Sequence, residues 1–210
     1  MIKILIADDH AIVREGLKQI ISETPDMVVA AEASNGEDVL EKVSANKYDV
    51  VLLDISMPGR SGLDILRQLK IEKPKLPIMM LSVHPEEQYA VRALRAGASG
   101  YLTKESAPDE LIAAIRKISQ GRKYVSSSLA EKLAYELGID VKKLRHEVLS
   151  DREFQVMCMF ASGKTVKEIA AELSISIPTI RTYRIRILEK MKMKNIAEII
   201  HYAVKQGLVD

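Results

Sequence analysis

The chain has no Trp, only two Phe and a single Cys among its 210 residues. One thiol excludes an internal disulfide and fits a reducing compartment. Cys158 stands in "VMCMF" among apolar neighbours, so it reads as core packing rather than as a reactive group. No apolar stretch approaches the roughly 20 residues that span a bilayer. The short run in "MIKILIADD" meets acids at once, with no small-residue cleavage site, and reads as a first strand rather than a signal peptide. The cytoplasm is the expected compartment, and no membrane partner is expected. With few aromatics and nine Met, the core is expected to be aliphatic.

Net charge is only +2, yet it is unevenly spread. Residues 142–210 hold 13 Lys/Arg against 8 Asp/Glu, a net of +5, whereas residues 1–141 hold 18 against 21, a net of −3. A mildly acidic front and a basic back suggest two jobs, the second facing a polyanion. The length also favours two small domains over one large one.

The front alternates between two periods. Ile2–Ala7, Val28–Ala33, Val50–Asp54, Ile78–Ser82 and Gly100–Leu102 read as short strands. Between them apolar residues recur at helical spacing, as in Leu17, Ile20 and Ile21 or Leu111, Ile112, Ile115 and Ile118. The strands "VVLL" and "IMML" are apolar on both faces, as in a parallel sheet covered by helices on each side. Residues 1–122 are therefore expected to form a doubly wound α/β domain on a five-stranded parallel sheet. Residues 123–148 read as a linker with one helix, "LAEKLAYEL", closed by Gly138. No strand signal follows, and residues 149–210 are expected to form a small all-α domain with helices over Asp151–Ser162, Thr165–Leu173, Ile177–Met191 and Ile196–Gln206.

Polar residues cluster where the strands end. Strand one runs into Asp8-Asp9, strand three ends in Asp54, strand four in Ser82, and Lys104 follows strand five. In a parallel α/β sheet these carboxyl ends share one edge, where ligands bind. Crowded carboxylates raise one another's pKa unless a cation compensates. A hard divalent ion such as Mg²⁺, which takes oxygen ligands and phosphate oxygens together, answers that need. Each residue alone has a plainer reading: Asp8 or Asp9 as a helix N-cap, Ser82 as a turn residue, Lys104 as a solvated charge. Their joint appearance at the strand ends is what favours a site.

The segments "LIADDH", "VVLLDISMPGRSGLDIL", "IMMLSVH" and "GASGYLTKES" resemble the receiver domain of two-component response regulators over residues 1–122. The resemblance implies that Asp54 is the phosphoacceptor for a sensor histidine kinase. It also implies Mg²⁺ held by Asp8, Asp9 and Asp54 with the main-chain carbonyl of Ser56. Ser82 and Lys104 would contact the phosphoryl group, and Tyr101, after "GASG", would report its arrival by rotating. The chemistry agrees, because a carboxylate attacks an anionic phosphoryl group only when metal and cation neutralise its oxygens.

The back domain contains a helix, a turn and a second helix, the pattern of a helix-turn-helix. Ser176 suits the N-cap of the second helix, and Pro178 falls in its first turn. On that helix Ile180, Ile187 and Met191 share a core face, while Arg181, Thr182 and Ile185 lie elsewhere with Arg184 and Arg186 flanking. Three Arg and no acid between Ile177 and Leu188 favour DNA over a merely solvated face. The runs "LSDRE", "ASGKTVKEIAAELSIS", "TIRTYRIRILEKM" and "AEIIHYAVKQGLV" resemble the LuxR-type DNA-binding domain of the NarL/FixJ class of response regulators. That resemblance implies base contacts from Arg181, Thr182 and Ile185, phosphate contacts from Lys164, Thr179, Tyr183 and Arg184, and a dimer contact on Ile196–Gln206. Departures from the pattern are Phe154, Gln155, Val166 and Pro178.

The expected function is a transcriptional regulator that is phosphorylated on Asp54, pairs as a homodimer and binds double-stranded promoter DNA. It is not expected to be an enzyme beyond its own phosphotransfer and slow dephosphorylation. A phosphohydrolase would need a second acid two residues after the nucleophile, where Ser56 stands. A helical half that binds protein or RNA is the other alternative, distinguished by a flat salt dependence on duplex DNA.

Overall fold

Five short aliphatic runs form a single parallel sheet in the computed structural model, with strand order β2-β1-β3-β4-β5. The structure describes residues 1–84, 86–126, 129–130 and 144–209. The strands are β1 (Ile2–Ala7), β2 (Met27–Ala33), β3 (Val50–Asp54), β4 (Ile78–Ser82) and β5 (Gly100–Thr103). Between and after them come α1 (Ala11–Ser22), α2 (Gly36–Ala45), α3 (Gly62–Glu72), α4 (Glu86–Arg95) and α5 (Pro108–Ser119). The doubly wound α/β expectation is met, and strand ends differ from the sequence reading by at most one residue.

Burial explains the sheet's all-apolar central strands, because β3 and β4 are buried at every position. One face packs Ile4, Ile6, Val50, Leu52, Met79 and Leu81 against Ile21 of α1 and Leu111, Ile115 and Ile118 of α5. Alternation sends Leu5, Val51, Leu53 and Met80 to the other face, where they are equally buried. The local chemistry sets the helix starts. Asn35 and Ser61 cap α2 and α3 by accepting backbone N–H groups of Asp38 and Leu63, and Pro108 opens α5.

The chain divides into two units, Met1–Ala130 and Glu131–Asp210. The first runs beyond residue 122, into what the sequence suggested as linker. Tyr124 forms a parallel bridge with Gly100 and donates its N–H to the Ser99 carbonyl at 2.8 Å. Its hydroxyl donates to Glu110 at 2.7 Å, and burial together with that carboxylate pushes the phenol up to about 12. Lys123 holds the Ala98 carbonyl and Ser126 bonds to Glu86 of α4. Patterning could not reveal this strap, because its contacts are polar and distant in sequence. Leu129 and Ala130 are helical, and the rest of the helix expected in "LAEKLAYEL" lies outside the described residues.

In the second unit a 3₁₀ turn, Arg145–Val148, precedes α6 (Asp151–Ala161), α7 (Val166–Glu172), α8 (Ile177–Met191) and α9 (Ile196–Lys205). Two reciprocal capping boxes, Ser150 with Glu153 and Thr165 with Glu168, fix the starts of α6 and α7. Ser176 caps α8 as expected. The core combines Phe154, Val156 and Met157 with Ile169, Ile180, Ile187, Met191, Ile199 and Ala203, and Cys158 is buried among them. Gln155 accepts the Arg152 guanidinium at 2.7 Å, and Arg152 also donates to the Leu173 carbonyl at 3.2 Å. Glu153, nearly buried, takes the Lys190 ammonium at 2.6 Å and ties α8 to α6. Among the described residues no helix is long and apolar enough to cross a membrane.

Gly62 starts α3 against the end of β3. A Cβ there would stand 2.0 Å from the Asp54 carbonyl oxygen and 2.9 Å from the Ile55 Cα, backbone atoms that cannot step aside. Gly62→Ala is expected to cost roughly 1–3 kcal/mol through overpacking. Thermal unfolding checks this, and an unchanged melting temperature contradicts it.

Candidate functional site

Parallel strands deliver their terminal polar residues to one edge, and here three elements converge there. Asp8 follows β1 and is fully buried, Asp54 closes β3 and is 1% exposed, and Lys104 follows β5. The Lys104 ammonium lies 2.6 Å from Asp8 Oδ2 and 3.0 Å from Asp54 Oδ2. The main-chain N–H of Lys104 donates to the Ser82 carbonyl at 2.7 Å, so the end of β4 sets the position of this residue. Asp8 is not the N-cap of α1. That place is held by His10, whose N–H donates to Asp8 Oδ1 at 2.9 Å. Arg14 fixes the turn from above, donating to the Asp8 carbonyl at 2.8 Å and to Glu32 of β2 at 3.1 Å.

One ammonium faces two buried carboxylates, with a third from the less buried Asp9 nearby. Burial holds the Asp54 carboxyl above its ordinary range, the Lys104 charge opposes that shift, and the Asp8 charge adds to it. Burial works against the charge of Lys104 as well, but Asp54 and Asp8 outweigh it and hold the ammonium above its usual value. The cluster therefore carries surplus negative charge. Asp54 Oδ1 is buried with no hydrogen-bond partner. Oxygen donors, surplus negative charge and an orphaned buried carboxylate oxygen fit a hard divalent cation. Asp8, Asp9, His10 and Asp54 offer ligand atoms that all lie within 4.8 Å of one another. Ser56 sits two residues beyond Asp54 in the loop after β3, half-buried.

Ser82 and Tyr101 are both fully buried and meet at one peptide segment. The Ser82 hydroxyl accepts the His84 N–H at 3.0 Å, and the Tyr101 hydroxyl donates to the His84 carbonyl at 2.8 Å. A displacement of Ser82 therefore pulls on the residue that anchors the tyrosine. His10, Arg14, Gly62 and His84 were not singled out from the sequence. His10 was legible as the neighbour of two acids, but Arg14, Gly62 and His84 act through contacts made to or by the main chain, which leave no composition signal.

The basic face of α8 is the second candidate site. Arg181, Thr182, Arg184, Ile185 and Arg186 are exposed, while Thr179 and Tyr183 are half-buried. Among the described residues, no ion pair neutralises Arg181, Arg184 or Arg186. Ile185 is 57% exposed, an apolar side chain amid guanidinium groups. Lys164 precedes α7 and pairs with Glu172 at 2.5 Å, so its charge is already partly spent. The Thr182 hydroxyl bonds back to the Pro178 carbonyl at 3.1 Å, and the Thr179 hydroxyl meets that of Ser176 at 2.7 Å.

Comparison with known proteins matches both units. Residues 4–116 fit the response regulator receiver domain, and residues 147–203 fit the bacterial regulatory proteins of the luxR family. The chain belongs to the response regulators of the NarL/FixJ class. The response regulator UvrY of Escherichia coli (strain K12) is 38% identical over 210 residues, covering 99% of this chain and 96% of UvrY. GacA of Pseudomonas aeruginosa is 36% identical over 214 residues, covering 100% of this chain and 99% of GacA. Among solved structures, RcsB from Salmonella enterica serovar Typhimurium, bound to promoter rprA in the presence of phosphomimetic BeF₃⁻, has a TM-score of 0.66 at 27% identity and covers 96% of this chain and 97% of its own.

The buried Asp54 of this response regulator has a stability signature. Its raised pKa means that the fold is penalised as pH rises through that value and the group ionises, and is relieved below it. Asp54→Asn, which never ionises, is expected to melt above the wild type at pH about 7, with the gap closing on acidification. Circular-dichroism melts of both proteins across pH check the sign. A gap that widens as pH falls contradicts it.

Proposed function

We propose that Asp54 is the phosphoacceptor, charged by a phosphohistidine of a partner sensor kinase, and that phosphorylation drives pairing of two copies on promoter DNA. The observation that carries this is the meeting of Asp8, Asp54 and Lys104 at the carboxyl edge of the sheet. A carboxylate oxygen of Asp54 attacks phosphorus, the acyl-phosphate bond forms, and the phosphorus–nitrogen bond to the kinase imidazole breaks. Asp8, Asp9 and Asp54, with the Ser56 carbonyl, would hold Mg²⁺. When bound it neutralises the phosphoryl oxygens and screens the three acids from one another.

Lys104 exchanges its ion pair with Asp54 Oδ2 for one with a phosphoryl oxygen. Ser82 turns its hydroxyl toward the same group, releasing the His84 N–H. The His84 carbonyl then shifts against the Tyr101 hydroxyl, carrying the change to the surface around α4 and β5. The product is held, since Ser56 stands where a hydrolase places a second acid, so sustained turnover on small phosphates is not expected.

The output is the face of α8. Arg181, Thr182 and Ile185 suit base edges and thymine methyl groups, while Arg184, Thr179, Tyr183 and Lys164 suit phosphates. RcsB provides support by likeness, having been solved on promoter DNA and as two dimers on two parallel DNAs. A single such module gives a small interface, and pairing on two half-sites raises the effective concentration of the second. The cytoplasm is the compartment that this reading requires, since both the kinase's phosphoryl supply and the DNA are there.

Two measurements test this. Incubation with a small phosphodonor and Mg²⁺ is expected to add one phosphoryl group to the wild type by intact-mass spectrometry, and none to Asp54→Asn. Equal incorporation in both contradicts the assignment of Asp54. In duplex-DNA titrations, Arg181→Ala is expected to weaken specific binding by roughly 1–3 kcal/mol, and Arg184→Ala to lower the slope of affinity against salt by about one. Binding that is flat across salt, or unchanged by both substitutions, removes DNA as the ligand of this face.

A further inference from the structure

The strap beyond residue 122 ends at Ser126, whose hydroxyl serves two partners. It accepts the Leu129 N–H at 3.2 Å, while the Ser126 carbonyl accepts the Ala130 N–H at 3.0 Å, so Ser126 is the N-cap of the linker helix. The same hydroxyl donates to the carboxylate of Glu86, the first residue of α4. A hydroxyl has one proton to give, and here it goes to a charged acceptor on another helix. Glu86 stands two residues after His84, the residue that Ser82 and Tyr101 both hold. The His84 ring also packs on Tyr89 of α4, with centroids 5.0 Å apart. Elsewhere the strap grips β5, its entry loop and α5. Tyr124 bridges Gly100, the neighbour of Tyr101, and bonds to Glu110, while Lys123 holds the Ala98 carbonyl. These contacts close a ring through His84, Glu86, Ser126, Tyr124 and Tyr101.

We propose that the Glu86–Ser126 bond is a clasp that holds the root of the linker helix to the receiver, and that phosphorylation of Asp54 opens it. The inference rests on the proposed phosphotransfer to Asp54. When Ser82 turns its hydroxyl to the phosphoryl group, the His84 N–H loses its acceptor and the segment leading into α4 shifts. The strap does not follow α4, because Lys123 and Tyr124 fix it to β5, its entry loop and α5. The displacement therefore falls on the Glu86–Ser126 bond, and a hydrogen bond is lost once its heavy atoms part beyond about 3.5 Å. Released, the Ser126 hydroxyl no longer has its orientation fixed by Glu86, and the first turn of the linker helix frays. The tether to the DNA-binding unit then leaves the receiver at Tyr124 instead of Ser126. A static cap, with Glu86 merely lending an acceptor, gives the same resting contacts. The two readings part on whether the linker root responds to phosphorylation.

The test is amide hydrogen exchange on the full chain, with and without a small phosphodonor and Mg²⁺, for the wild type, Glu86→Ala, Glu86→Gln and Asp54→Asn. In the wild type the Leu129 and Ala130 amides are expected to exchange about tenfold faster after phosphorylation, as loss of one charge-assisted bond allows. The Tyr124 amide, held by the Ser99 carbonyl, is expected to change less than twofold. Glu86→Ala is expected to show the fast rate without phosphodonor and to gain less than twofold from it. Glu86→Gln keeps an acceptor oxygen and is expected to stay close to the wild-type resting rate. Asp54→Asn is expected to stay slow throughout. A wild type that carries one phosphoryl group by intact mass yet exchanges at its resting rate overturns the switch, and a slow Glu86→Ala overturns the clasp. If no phosphoryl group is added to the wild type, the assignment of Asp54 fails and the switch fails with it. Mass and exchange are separate readouts, so the two failures are told apart.

Discussion

The placing of two ionisable carboxylates out of water at the end of a sheet, with one ammonium between them, is the constraint on which the receiver depends. Isolated buried charge is expensive, and a polar edge of this kind persists only because Lys104 bridges Asp8 and Asp54. That bridge is incomplete by design of the charge count, since two acids face one base. The shortfall leaves Asp54 partly uncompensated, and an uncompensated buried carboxylate is a group poised to gain from a cation or to lose its charge into a covalent bond. The strands, the helices that cover them and the Gly62 contact all act to keep that geometry fixed. Loosening any of them would let water in to solvate the acids.

Much of the fold could be read from the sequence because its signals are local. Strands such as "VVLL" and "IMML" are apolar at every position, and the observed spans of β3 and β4 match them. The core face of α8 was equally plain, as Ile180, Ile187 and Met191 fall at helical spacing and all three are buried. The convergence of Asp8, Asp54 and Lys104 was also legible, since a parallel sheet sends strand ends to one edge whatever the loops do. What escaped was contact between parts distant in sequence. The strap of Lys123, Tyr124 and Ser126 over β5 works through single hydrogen bonds to Ala98, Ser99 and Glu86, and no periodicity records such pairings. The hold of Arg14 on the Asp8 carbonyl and the tie from Tyr101 to His84 were hidden for the same reason.

The two units hold their charges in opposite ways. In the first, the charge that matters at the reactive edge is internal, confined to Asp8, Asp54 and Lys104 and enclosed by apolar packing. In the second, the stabilising charge pair of Glu153 and Lys190 is set aside near the core, and the Arg residues of α8 face outward without partners among the described residues. The first arrangement suits a chemical event on one atom, because low polarity strengthens each electrostatic contact. The second suits a long polyanion, since exposed cations release its counterions.

The strap has a consequence for the sheet's outer border. β5 is an edge strand, and an uncovered edge presents unpaired main-chain groups on which another chain can template. Tyr124, bridged to Gly100 and bonded to Ser99, occupies part of that border in the manner of a sixth strand one residue long. A receiver severed after Arg122 would keep every residue of its reactive edge and still lose this cover. Its liability would then be stickiness rather than lost chemistry, with β5 open to self-association.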